Sequence, residues 1–223
     1  MRNNFARRLI AGLMLATFAV SGAVQARPMP VSSLFQQDEK KKLPPVNYIR
    51  SRKIDVKHVA IDLRFDWDKE QAMGTTTVTF SPFSDTNNFQ LDAAMMTINS
   101  VKLVGGADLK YTYDGKKDGD NLDVTLDHVY KAGEDIKVVV DYATNYVNKA
   151  EGDTAIGGFG RGLRFIKPTA DNPTKPRQIW SQGESEFNRY WFPSYDTPND
   201  FHTQELRATV EKPFFVVSNG KLM

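Results

Sequence analysis

From about residue 54 the chain alternates. Val59, Ile61, Leu63 and Phe65 are apolar, with Ala60, Asp62 and Arg64 between them. A period of two predicts a half-buried strand. Residues 74–80 read GTTTVTF, rich in the β-branched residues that suit a pleated sheet. Further short strands are predicted over 89–91, 98–104, 109–113, 122–126, 136–142, 205–210 and 214–217, with IKVVVDY at 136–142 the strongest. Gly105-Gly106, Asp114-Gly115, Asp118-Gly119 and Ala132-Gly133 punctuate them as turns. No long amphipathic helix and no internal repeat appears. The pattern predicts an all-β chain, an antiparallel β-sandwich or an open barrel-like sheet.

The start of the chain follows a different pattern. Arg2, Arg7 and Arg8 precede an apolar run over 9–20, and Val24-Gln25-Ala26 fits a small-x-small cleavage site. Residues 1–26 are therefore expected to be a secretory signal peptide, cut after Ala26. The apolar run is short for a spanning helix and has no clear stop-transfer flank, so membrane attachment is expected only through an uncleaved signal. Arg7-Arg8 is ordinary positive charge before the apolar run rather than a twin-arginine signal. Residues 27–47 hold four prolines around the charged run DEKKK and are expected to be a flexible leader. The implied location is exported, periplasmic or secreted.

Composition narrows the chemistry. The 223 residues are 40% hydrophobic and 25% charged, as in an ordinary globular protein. With no cysteine, disulfides, thiolate zinc sites and cysteine nucleophiles are excluded. The formal charge is +2, and loss of three arginines with the signal brings it to −1, which argues against a nucleic-acid partner. His58, His128 and His202 are far apart, with no H-E-x-x-H spacing among them. The glycine-rich stretch 151–162 lacks G-K-S/T and a following helix pattern, so it is expected to be a flexible surface loop and not a phosphate cradle.

The densest chemistry lies in 178–200, QIWSQGESEFNRYWFPSYDTPND. Trp191, Phe192 and Pro193 are expected in a packed corner, and Arg189 with Asp196 in a structural ion pair. Glu184 and Glu186 do not make a glycosidase pair by themselves, since on a strand they point the same way.

WSQGESEFNRYWFPSYDTPND, followed by VEKPFFVVSNGKL, resembles the aminopeptidase N family of zinc exopeptidases over residues 48–223. The W-S/T-Q-x-E, W/F-F-P-x-x-D-x-P and V-V-S-N-G elements stand in that family's order and spacing. The resemblance implies a saddle-shaped N-terminal β-domain, which in the family precedes a thermolysin-like domain carrying G-x-M-E-N and H-E-x-x-H. It also implies that Gln182 lines the cleft beside the first side chain of a peptide, and that Glu184 helps bind the peptide's α-ammonium. A peptide α-amino group has a pKa of about 7.7–8.0, so it is largely protonated at neutral pH. A carboxylate in a partly dry cleft gives it a short charge-assisted hydrogen bond. Anchoring the amine fixes the first peptide bond in place. If the segment is extended, the one-residue gap puts Gln182 and Glu184 on one face. The bland alternative for Glu184 is a surface carboxylate.

Two departures from the family matter. Ser194 stands where the family often has cysteine, at a position expected to be structural. Met223 follows V-S-N-G directly, ahead of any zinc-ligand motif. The resemblance therefore implies zinc in a full-length enzyme, none bound by this chain, and two partners: a peptide N-terminus and a missing C-terminal catalytic domain. The first expectation is the N-terminal, substrate-recognising part of an exported zinc aminopeptidase, silent alone. The second is a free-standing β-sandwich module that binds a peptide or protein. An unpaired edge and an uncovered apolar face are expected to promote association in the first case.

Overall fold

A computed structural model describes residues 49–115, 121–145 and 160–223. The segments expected to be a signal peptide (1–26) and a leader (27–47), the expected turn at Asp118-Gly119 and most of the glycine-rich stretch lie outside the described residues. Ten strands make up nearly all of the regular structure. They are β1 (Ile54–Asp66), β2 (Gln71–Pro82), β3 (Thr86–Asp92), β4 (Met96–Leu103), β5 (Lys110–Thr112), β6 (Asn121–Tyr130), β7 (Ile136–Thr144), β8 (Gly162–Ile166), β9 (Gln178–Gln182) and β10 (Thr203–Thr209). Among the described residues, a 3-10 turn at Asn188–Tyr190 interrupts them.

The strands form three sheets. Five run in the order β10-β1-β2-β7-β4, three in the order β3-β6-β5, and β8 pairs with β9 alone. Every ladder among these is antiparallel except β1 with β10, which is parallel. The all-β expectation holds, with the large sheet mixed by this one parallel ladder. A parallel neighbour needs a crossover connection, and here nearly the whole described chain lies between the two partners.

The alternation sets the core. In β1, Val59, Ile61 and Leu63 are buried while the intervening positions are not. In β2, Thr76, Val78 and Phe80 point inward; Thr76 is satisfied by the Tyr142 hydroxyl at 3.4 Å. Phe80 meets Phe89 of the three-stranded sheet with ring centroids 4.5 Å apart. The inner faces of both sheets merge into one cluster that includes Leu91, Leu122, Val124, Val138 and Tyr142.

Two bulges repair faults in the period. Val56 and Val59 are both buried although they lie three positions apart, an odd offset that puts strict alternation on opposite faces. The β1–β2 register shifts between Val56 and His58, so Lys57 is the extra residue. A second shift between Ile98 and Ser100 lets Ile98 and Val101 both face inward from β4.

Two expectations fail. Residues 214–217 form no strand: the Phe214 amide donates to the Glu211 carbonyl at 3.0 Å, and the Phe214 ring stacks on Trp67. Pro213 interrupts the run and supplies no ladder donor. Gly162 is not loop but the first residue of β8, with φ of +60°. Strands β8 and β9 are themselves additions to the predicted set. Phe201, Phe215, Val217 and Leu222 remain largely exposed, each more than four-fifths.

Candidate functional site: the Gln182–Glu184 turn and its buried corner

The site begins with a buried acid. Asp92 ends β3 and is 1% exposed. An ionised group so deep needs partners. Arg50 supplies a two-pronged one, donating from Nη1 and Nη2 at 2.7 Å each. The Asp196 backbone amide adds a third bond at 2.8 Å. Main-chain bonds between Asp92 and Ser194, at 2.7 and 3.1 Å, fasten the aromatic corner to the three-stranded sheet. Ser194 is buried there, a backbone position as expected.

Arg189 closes the corner from the 3-10 turn. Its backbone amide donates to Asp196 Oδ2 at 3.0 Å and its Nε at 3.3 Å, so the expected ion pair is present. Its Nη2 lies 3.5 Å from Glu186. Burial pushes the Asp196 carboxyl up to about 6, against the pull of Arg189. Trp191, Phe192 and Tyr195 pack into the core around this network, with Trp191 and Phe192 edge to face at 4.4 Å.

Above this corner lies the turn. Strand β9 stops at Gln182, which is paired with Gly162 of β8. Gly162 approaches the 3-10 turn so closely that a Cβ on it would sit 2.7 Å from Tyr190 Cβ. The chain leaves the strand at Gly183, and residues 184–187 form a turn closed by the Phe187 amide on the Gly183 carbonyl at 2.9 Å. Gln182 and Glu184 are thus not two positions of one extended strand, and the shared-face argument does not hold. They are brought together otherwise: Gln182 Nε2 donates to the Glu184 carbonyl at 3.2 Å. Gln182 is half-buried and Glu184 exposed. The two nearby acids differ in availability. Glu186 is engaged by Arg189, whereas the Glu184 carboxylate makes no ion pair or hydrogen bond among the described residues.

A groove of about 780 Å³ runs beside the turn, lined by Phe65, Trp67, Trp180, Trp191, Leu206 and Phe214 among others; neither Gln182 nor Glu184 lines it. Asn188 and Gly183 were not singled out in the sequence. Their importance lies in one close contact, which no spacing rule reveals.

The described residues do not fit a zinc site. His58 bonds the Thr203 hydroxyl, and His128 stacks on Tyr130 beside Asp127. His202 is exposed near the chain's last strand. No three acidic or histidine side chains among the described residues cluster in a way that could hold a metal.

Comparison with known proteins agrees with the architecture. A leukotriene A-4 hydrolase homolog of Botryotinia fuckeliana is 24% identical over 168 residues, covering 74% of this chain and 24% of that protein. A transcription initiation factor TFIID subunit 2 of Danio rerio is 27% identical over 97 residues, 43% of this chain and 7% of that protein. Among solved structures, a mutant M1 zinc metallopeptidase from Deinococcus radiodurans bound to a Tyr-Ser-Ala substrate superposes with a TM-score of 0.53 at 18% identity. That match covers 72% of this chain and 33% of the other. The chain thus spans a third or less of the length of each of these relatives. The model of the Peptidase M1 N-terminal domain matches residues 50–223, and the chain belongs to that family.

Proposed function

We propose that this chain supplies the substrate-recognising side of an exported zinc aminopeptidase, with Glu184 binding the α-ammonium of a peptide and Gln182 lying beside its first side chain. The observation that carries this reading is the unengaged Glu184 carboxylate, presented on a turn that a buried ionic corner holds from below. A protonated amine finds there a carboxylate with no competing partner among the described residues. Family membership and a relative that takes a peptide substrate support the same reading. The described residues offer no zinc site, so no chemical step is assigned to them; they bind and orient.

Export is part of the proposal and rests on residues 1–26. Two determinations test the whole. The gene is expected to continue in frame past codon 223 into G-x-M-E-N and H-E-x-x-H, and the exported protein to begin at Arg27. The 223-residue chain alone is expected not to hydrolyse alanyl-p-nitroanilide with added zinc. A stop codon after Met223, or hydrolysis by the isolated chain, contradicts the reading.

A second reading has one observation in its favour. The matched region recurs in a protein named as a transcription initiation factor subunit, so the β-domain is not confined to proteins named as peptidases or hydrolases. In that reading the chain is a stand-alone module that binds a peptide or protein.

A further inference from the structure

We propose that Asn188 is the positioning residue that sets the Gln182-Gly183-Glu184 turn, and through it the aim of the Glu184 carboxylate. The inference rests on the amine-binding reading above and adds to it the device that holds the carboxylate in place.

Gly183 stands directly against the Asn188 side chain. A Cβ on Gly183 would lie 2.3 Å from Asn188 Oδ1, 2.9 Å from its Cγ and 3.1 Å from its Nδ2. All three of the nearest atoms belong to one side chain, so the contact is a fit between two residues. Gly183 is not among the residues with a left-handed backbone, so space rather than torsion requires glycine there.

The Asn188 amide is not free to swing aside. Trp191 Nε1 donates to its Oδ1 at 3.1 Å. Trp191 is buried. The main chain closes the same small loop: the Trp191 amide donates to the Asn188 carbonyl at 2.9 Å and the Phe187 amide to the Gly183 carbonyl at 2.9 Å. One amide side chain thus carries the rigidity of the buried corner to an exposed turn. A binding group has to be locked by its supporting contacts to act with precision. Asn188 does so here without touching a ligand itself.

The test uses the full chain and a matched set of substitutions. Gly183→Ala is expected to shift the amide NMR signals of Glu184 and Ser185 together with the Trp191 indole signal. The added methyl has to push the Asn188 amide off its indole partner. Asn188→Ala alone is expected to displace the Glu184 and Ser185 signals as well, because truncation removes the side chain that holds the turn, and adding it to Gly183→Ala is expected not to restore them. Adding Asn188→Asp instead keeps the volume, and the turn is expected to stay displaced.

The ligand probe is the tripeptide Tyr-Ser-Ala with a free amino terminus, against the same peptide N-acetylated. Gly183→Ala is expected to weaken free-amine binding by about tenfold and to leave the acetylated peptide unaffected. Asn188→Ala alone is expected to weaken free-amine binding as well, and a turn and an amine preference unchanged in Asn188→Ala overturn the proposal. Unmoved Glu184 and Trp191 signals in Gly183→Ala overturn the proposal, and that result does not need the double variant to fold. Displaced signals with unchanged amine preference overturn it as well. A wild-type chain that binds both peptides alike removes the amine reading instead, and the amide signals then decide by themselves whether Asn188 sets the turn.

Discussion

Asp196 shows what the buried corner costs and what it gives. Burial raises its carboxyl from 3.8 to about 6, although Arg189 and the Asn188 side chain pull it down. The folded chain therefore binds this proton more tightly than the unfolded chain does. Its contribution to stability is complete below pH 3.8 and is lost as the pH rises through about 6. Asp196→Asn has a side chain that stands in for the protonated acid. Its unfolding free energy, relative to wild type, is expected to rise by about 2 kcal/mol from about pH 4 to about pH 7. Urea unfolding of both proteins across that range measures it. A flat difference would mean that Arg189 fully offsets burial. The Arg189–Asp196 pair was legible in the sequence because its members lie seven positions apart in one motif. Arg50 was not, since its partner Asp92 lies 42 positions away and no local pattern joins them.

Strands were legible wherever one face is buried and the period is intact. β1, β2, β6 and β7 bury alternate residues along most of their length, and their alternation is visible in the residues themselves. β8 and β9 were missed because they pair only with each other and bury little: in β9 no residue is fully buried. The parallel β10 was read as a strand, but its partner was beyond reach, because direction is set by the crossover and not by the period. The bulge at Lys57 is an element-scale feature that the sequence carries as an error in phase. Deleting Lys57 removes the shift and leaves Ile54 and Val56 on the wrong face. The expected loss is about 3–6 kcal/mol, the burial of two aliphatic side chains, read from urea unfolding. Lys57→Ala, which keeps the bulge and loses only an exposed ion pair to Asp135, is expected to cost under about 1 kcal/mol. Equal losses in the two variants would mean that the side chain matters rather than the extra residue.

At the scale of the whole molecule, the described chain packs its two larger sheets around one core and leaves several large apolar side chains exposed. Phe201, Phe215, Val217 and Leu222 are each largely exposed, and β10 has a partner on one side only. Such surface promotes association. Analytical ultracentrifugation is expected to show a mean mass that rises with concentration, and Phe215→Ser with Val217→Ser to reduce the rise. A strictly monomeric chain at high concentration would favour the stand-alone module instead. The segment proposed to carry function was visible in the sequence as a motif around Gln182 and Glu184, while the geometry that presents them, a turn and not a strand, was not. The central claim is that Glu184 recognises a protonated peptide amine, and a single titration bears on it most directly. Amide signals of the turn are followed as Tyr-Ser-Ala or its N-acetyl form is added to the wild-type chain and to Glu184→Gln. The expected result is a saturable shift of the Glu184 and Ser185 signals by the free-amine peptide only, reduced at least about tenfold in affinity by Glu184→Gln. Equal response to both peptides, or a free-amine response that survives Glu184→Gln unchanged, would contradict it.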